Sequence, residues 1–176
     1  MNPNAMKRVM VIGCCGAGKS TFSKKLHEIL GLEIIHLDQH YWKPNWVESD
    51  KEEWEQKVKS LVAKDEWIMD GNYGGTMEFR LERADTVVFL DYSTLQCLWR
   101  ITKRIHRYKG QVRPDMTEAC PERYDLEFYH YVATFNLMRR KSLYEKINKH
   151  QIQQFVLKND QQVARFFEEL EQAKIT

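Results

Sequence analysis

The chain has 176 residues, 43% hydrophobic and 30% charged, with a formal net charge of +2. Such a balance fits one globular domain over 1–176 that can bury a core, and the net charge is too small to announce a nucleic-acid partner. No apolar run approaches the roughly 18 residues of a spanning helix, and the opening Met1 to Arg8 has no apolar signal region, so a cytoplasmic protein without a membrane anchor is expected.

Taken in chain order, Lys7 to Gly13 is an apolar strand entering a glycine loop, and Lys19 to Leu30 carries Phe22, Leu26, Ile29 and Leu30 at helical spacing. Short apolar runs recur at Glu33 to Leu37, Glu66 to Met69, Ala84 to Leu90 and Gln154 to Leu157, each followed by a polar stretch and a helical pattern. Repeated strand and helix predicts an α/β fold with a five-stranded parallel sheet covered on both faces, a three-layer arrangement. Ligands of such sheets sit beyond the carboxyl ends of the strands. Those positions hold Gly13 onward, Asp38, Asp70-Gly-Asn-Tyr, Asp91 and Lys158-Asn159.

Gly13-Cys14-Cys15-Gly16-Ala17-Gly18-Lys19-Ser20 matches G-x-x-x-x-G-K-[ST] between a strand and a helix, the context that gives the pattern its meaning. By composition alone it would arise in on the order of one chain in a hundred or fewer. Glycines let successive N–H groups converge on phosphate oxygens, and the following helix adds its positive end. Lys19 supplies an ammonium to the outer phosphates, Ser20 is placed to ligate Mg²⁺, and Thr21 can bond the inner phosphate. The guanine signature N-K-x-D is absent, because Asn148-Lys149-His150 is followed by Gln151, so ATP is favoured. Cys14, Cys15, Cys97 and Cys120 show no zinc-like spacing and read as reduced thiols, the first two amid N–H groups and a lysine that would lower a thiol pKa.

Phosphoryl transfer with a metal also needs carboxylates. Asp70 suits the ion, held through water, and Asp38 suits the acceptor, as proton acceptor or as hydrogen-bond anchor. An aspartate at a strand end can instead cap the next turn, and Asp91 is the weakest of the three candidates for that reason. His36, alternating with apolar neighbours, reads as a hydrogen-bonded core histidine. The aromatic segment His40 to Trp46 is either a stacking wall for a ring or a hydrophobic corner beneath a flap of about 39–64. From Leu95 to Tyr108 a helix carries Arg100, Lys103, Arg104 and Arg107 at i, i+3, i+4 and i+7, a basic face that either is solvated or meets the triphosphate. The Gly- and Pro-bearing stretch of about 108–122 reads as a lid that would bring Arg113 inward. Beyond it, an aromatic-rich helix starts near Glu122 and ends at Arg139-Arg140-Lys141.

Together the phosphate loop, His36-Leu-Asp-Gln-His-Tyr-Trp-Lys-Pro, Trp67-Ile-Met-Asp-Gly-Asn-Tyr, Arg113-Pro-Asp-Met and Cys120-Pro-Glu-Arg resemble the adenylate-kinase-like group labelled DNA topology modulation proteins (FlaR-related), over nearly the whole chain. The wider similarity is to nucleoside monophosphate kinases and shikimate-kinase-like enzymes. That resemblance implies a P-loop NTPase fold, a flap after strand two and an arginine-bearing lid after strand four. It also implies that Asp70 holds Mg²⁺ through water and that Arg100 and Arg104 match the first lid arginines. Where adenylate kinases carry D-G-F-P-R, this chain has Asp70-Gly-Asn-Tyr-Gly, so the arginine that grips an acceptor phosphate is absent there, with Arg80 and Arg83 the nearest replacements. The expected function is an ATP-dependent kinase of a nucleotide, nucleoside or similar small acceptor. A nucleotide-dependent DNA-binding role is the alternative that the group's label implies, with Arg139-Arg140-Lys141 as its basic contact; no helix-turn-helix, zinc finger or basic arm supports it.

Overall fold

A computed structural model describes residues 2–175; Met1 and Thr176, the ends of the expected 1–176 domain, lie outside the described residues. In chain order it has β1 (Arg8–Gly13), α1 (Lys19–Leu30), β2 (Ile34–His36), α2 (Leu37–Tyr41), β3 (Trp42–Lys43), β4 (Val47–Glu48), α3 (Lys51–Val62) and β5 (Trp67–Asp70). There follow α4 (Met77–Leu81), β6 (Thr86–Leu90), α5 (Thr94–Tyr108), α6 (Leu126–Met138), α7 (Arg140–Asn148), β7 (Gln153–Leu157) and α8 (Asp160–Ile175). Five strands form one parallel sheet in the order β2-β5-β1-β6-β7.

The apolar runs explain the sheet. Val9, Met10, Val11 and Ile12 are each fully buried although alternate side chains point to opposite faces, so both faces of the central strand are covered. On one flank of the core, Phe22 of α1 meets Phe166 and Phe167 of α8, with ring centroids 5.3 and 4.7 Å apart. Tyr144 of α7 packs edge-on against Phe89 of β6. Register does the positioning: Val11 lies beside Asp70, Gly13 beside Leu90, and His36 beside Asp70. The ends of β1, β2, β5 and β6 therefore share one rim.

One expected helix differs at both ends. The helix expected from near Glu122 starts instead at Leu126, where Asp125 caps it by accepting from the N–H groups of Glu127 and Phe128. It does not run on to Lys141 either. Arg139 is a turn residue with φ −119°, and a separate α7 begins at Arg140, whose guanidinium is bound to Asp91 just beyond β6. Between β2 and β5, β3 and β4 make a small antiparallel hairpin, with Asn45 and Trp46 at φ 63° and 62° in its turn. Positive φ is costly for a tryptophan. The turn is held from outside: Asn45 N–H donates to Ala119 O at 3.1 Å, and the Trp46 indole donates to Pro121 O at 3.2 Å.

Arg80 of α4 is fully buried. It donates to the carbonyls of Gly71 (2.8 Å), Tyr73 (3.1 Å) and Asn72, tying down the turn after β5, and burial lowers its pKa to about 9. It cannot serve as the acceptor-phosphate arginine. Arg83, the other candidate, turns to Val62 O at the end of α3. Arg80→Ala is expected to lower the unfolding free energy by about 2–4 kcal/mol, because it leaves several buried carbonyls without donors; urea denaturation measures this, and an unchanged midpoint would refute the anchoring role.

Candidate active site

The phosphate loop is shaped by close approaches that exclude side chains. Gly13 has φ 147°, and a Cβ there would sit 2.5 Å from Leu90 O; Gly16 has φ 84°, and its Cβ would sit 2.5 Å from Cys97 O. Asn72, in the turn after β5, engages both polar backbone groups of Gly13: its Oδ1 accepts from Gly13 N–H at 3.0 Å and its Nδ2 donates to Gly13 O at 2.8 Å. Lys19 Nζ donates to Gly13 O (3.1 Å) and Cys14 O (3.3 Å). Burial opposes its charge, yet Cys15, Asp38 and Asp70 together hold the ammonium above the ordinary lysine value. The first-turn N–H groups of Lys19, Ser20 and Thr21 have no intrahelical acceptors, as at any helix start, and form the wall that anions favour.

Around the loop stand the carboxylates. Asp70 Oδ2 meets His36 Nδ1 at 2.9 Å. Burial works against a charged His36, but Asp70, with Asp115 and Asp38 farther off, raises its pKa. Asp38 lies in the first turn of α2 and accepts from the Tyr73 hydroxyl at 2.6 Å, which, after burial itself, is what pushes the Tyr73 pKa up. Asp91 is bound by Arg140 (2.5 Å) and the Tyr144 hydroxyl (2.9 Å), a structural tie between β6 and α7. Ser20 Oγ donates to Asp115 Oδ2 at 2.7 Å. Among the described residues no cluster of three or more His, Cys, Asp or Glu side chains forms a metal cage. A magnesium ion held by one hydroxyl, waters and phosphate oxygens needs none.

The basic face of α5 divides. Arg100 reaches Ala17 O (3.4 Å) and Asp160 (2.7 Å) and stacks on Tyr92; Arg104 forms an ion pair with Glu122 at 3.1 Å. Lys103 and Arg107 are exposed, over Trp99 and Tyr108. The expectation that Arg107 joins Arg100 and Arg104 at the site is therefore corrected: α5 packs its Cys97, Ile101 and Ile105 side inward, and only the two arginines flanking that side turn toward the loop. Cys14 also departs from expectation. Its hydrogen bond with Cys97 and its burial raise its pKa, the opposite of an activated thiol; all four cysteines are free.

Beside the loop opens a cavity of about 840 Å³. Cys15, Lys19, Asp38 and Arg104 from the expected set line it, with Arg113 and the aromatics Trp42, Trp46, Tyr73 and Tyr131. Ser20, Asp70 and Arg100 lie outside its wall, against Asp115, His36 and Asp160. Also lining it are Arg139, stacked on Tyr131, and Lys146, which donates to Gly74 O at 3.2 Å; among the described residues neither has a carboxylate partner. Arg140 does not reach the cavity. Sequence reasoning assigned no role to Asn72, Tyr73, Asp115, Glu122 or Lys146. Asn72 and Tyr73 lie just beyond a buried strand, at the rim position the sequence already marked, without a role being assigned to them.

No family model and no curated protein matches the chain. Solved structures do. The chain is similar to shikimate kinase from Acinetobacter baumannii in complex with shikimate, at 18% identity over 97% of this chain and 93% of that one, with a TM-score of 0.59. Shikimate kinase from Bacteroides thetaiotaomicron matches at 14% identity over 97% and 99%, TM-score 0.57, and a gluconokinase from Sinorhizobium meliloti 1021 at 14% over 95% and 90%, TM-score 0.51. These likenesses establish the fold: a P-loop α/β domain with a five-stranded parallel sheet, as the strand and helix pattern predicts.

Gly16→Ala tests the shape of the loop. A left-handed alanine costs about 1–2 kcal/mol, and the clash with Cys97 O adds about 1–3 kcal/mol of overpacking. Chemical denaturation should register the sum, accompanied by weaker ADP binding; full retention of both would mean the loop has room to shift.

Proposed function

We propose that this chain is an ATP-dependent kinase that passes the γ-phosphoryl group of Mg-ATP to a small hydroxylated acceptor. The observation that carries the reading is that Lys19 of the phosphate loop and Asp38 line one cavity. The transfer balances simply. An acceptor hydroxyl oxygen bonds to the γ-phosphorus, the bond to the β-phosphate oxygen breaks, ADP leaves, and Asp38 takes the hydroxyl proton. Asp38 is oriented for this by the Tyr73 hydroxyl. Lys19, Arg104 and Arg100 neutralise charge on the phosphates, and the N–H wall from Gly13 to Thr21 cradles them. The loop fits magnesium as well: the Ser20 hydroxyl would hold the ion directly and Asp70 through water, and when bound the ion neutralises phosphate oxygens.

The names of the similar structures, kinases of shikimate and of gluconate, support a small polyhydroxy or ring-bearing acceptor. So does the chain itself. Arg139 and Lys146, cations that line the cavity without carboxylate partners among the described residues, suit an acceptor with an anionic group, phosphate or carboxylate. The segment of about 39–64 acts as a flap over this acceptor and that of about 108–122 as a lid, within one domain. Free thiols at all four cysteines accord with a reducing, cytoplasmic setting. No helix among the described residues is long and apolar enough to cross a membrane. A DNA-directed role would draw on Arg139-Arg140-Lys141, but these go to the cavity, to Asp91 and to Glu145 and form no shared basic face.

ADP production from Mg-ATP, with and without nucleosides, nucleoside monophosphates and hydroxy acids, tests the reading. Stimulation by one class with a phosphorylated product is expected; nucleotide held without stimulated turnover by any class would overturn it. Lys19→Ala should lower transfer by about a hundredfold or more and weaken ATP binding. Asp38→Asn should lower transfer by about 10²–10⁴-fold and leave ATP binding intact; equal losses of ATP affinity in both variants would show that Asp38 is misassigned. The double variant Arg139→Gln, Lys146→Gln should raise the acceptor KM by about tenfold or more for each charge-assisted hydrogen bond removed, with the ATP KM unchanged. An unchanged acceptor KM would remove the anion from the acceptor.

A further inference from the structure

Ser20 and Asp115 are 95 residues apart, yet the serine hydroxyl donates to the aspartate at 2.7 Å. The carboxylate next to the loop on the sheet rim, Asp70, is instead engaged by His36. Asp115 is not a chance visitor to the hydroxyl, because each neighbour holds it there. Arg113 Nη1 binds its Oδ2 at 2.8 Å, and Arg113 Nε is paired with the buried Glu122 at 2.5 Å. Glu122 also takes Arg104 of α5. Burial opposes the charge of Asp115, but Arg113 and the Ser20 hydroxyl hold its pKa below the usual carboxylate value. The loop that bears it is tied to the other side of the site: Gln39 Nε2 donates to Pro114 O at 2.9 Å and Thr117 Oγ1 to Gln39 O at 3.1 Å.

A serine that ligates a metal ion gives a lone pair and keeps its hydrogen. That hydrogen needs an acceptor, and withdrawal of electrons by the ion makes it a stronger donor, so a carboxylate on its far side both orients the ligand and strengthens it. We propose that Asp115 is this acceptor: a positioning residue, supplied by the 108–122 loop, that completes the magnesium site through Ser20. The inference rests on the kinase reading and extends it. Loop position and metal affinity are then coupled, because Asp115 reaches Ser20 only with the loop drawn in, and by reciprocity magnesium favours the drawn-in loop.

The test is calorimetric titration with ADP, with and without Mg²⁺, of the wild type, Asp115→Ala and Asp115→Asn, so that no turnover is needed. The readout is the factor by which Mg²⁺ tightens ADP. Asp115→Ala should cut that factor by about 10–100-fold, the usual effect of losing a partner behind a metal ligand, and leave metal-free ADP affinity unchanged. Asp115→Asn, which keeps an acceptor oxygen but no charge, should fall between. Proteolysis of the 108–122 segment should slow with Mg-ADP in the wild type and not in Asp115→Ala. Three results would overturn the proposal: an unchanged magnesium factor, a larger one, which would mean that Asp115 competes with the ion for Ser20, or an equal loss with and without Mg²⁺, which would mean that the loop is simply damaged. A wild type that does not bind ADP at all would instead bring down the kinase reading, and this inference with it.

Discussion

The site hangs from the backbone of one residue. Gly13 ends β1 against Leu90 so closely that no side chain fits, and its peptide groups are gripped by Asn72 on one side and by Lys19 on the other. Asn72 is itself fixed by Arg80, which holds the carbonyls around it from within the core. The phosphate loop is thus not a free glycine turn; it is clamped between the ends of the two strands that flank β1. Preorganisation of this kind is what lets backbone N–H groups act on an anion without first being ordered by it.

Charge is arranged around that clamp in pairs. Arg104, Arg113, Asp115 and Glu122 form a linked set between α5 and the 108–122 loop, and Arg100 is matched by Asp160 at the start of α8. Buried cations are tolerable because each meets a carboxylate or carbonyls. Arg139 and Lys146 differ: they face the cavity with only a ring and a carbonyl for company among the described residues.

The aromatic segment between β2 and α3 contributes both to a packed corner and to the cavity wall. Tyr41, Trp54 and Tyr73 pack as a corner, with centroids 4.8 to 5.2 Å apart, while Trp42 and Trp46 line the cavity. Its turn is fastened to Ala119, Cys120 and Pro121, which ties this segment to the 108–122 loop.

Several features were legible in the residues alone: the five strands, the phosphate loop, α1 and α5. Each is written locally, in apolar runs, in glycines at fixed spacing and in a 3.6-residue period, and local patterns survive translation into structure because they depend on neighbours in sequence. Partnership was not legible. A stripe of four cations at helical spacing does not say that two of them face outward, because the inward direction is chosen by Cys97, Ile101 and Ile105 packing elsewhere. Arg80 looked like a ligand-binding arginine and is a core anchor; Asp115, given no role from the sequence, meets Ser20. The chain by itself determined which chemistry it can hold, since a lysine in a glycine loop and aspartates at strand ends have few other uses together. Only the tertiary structure decided which charges are spent on the protein and which are left for a ligand, because that choice is made by interactions between residues far apart in sequence, each competing for the same few buried partners.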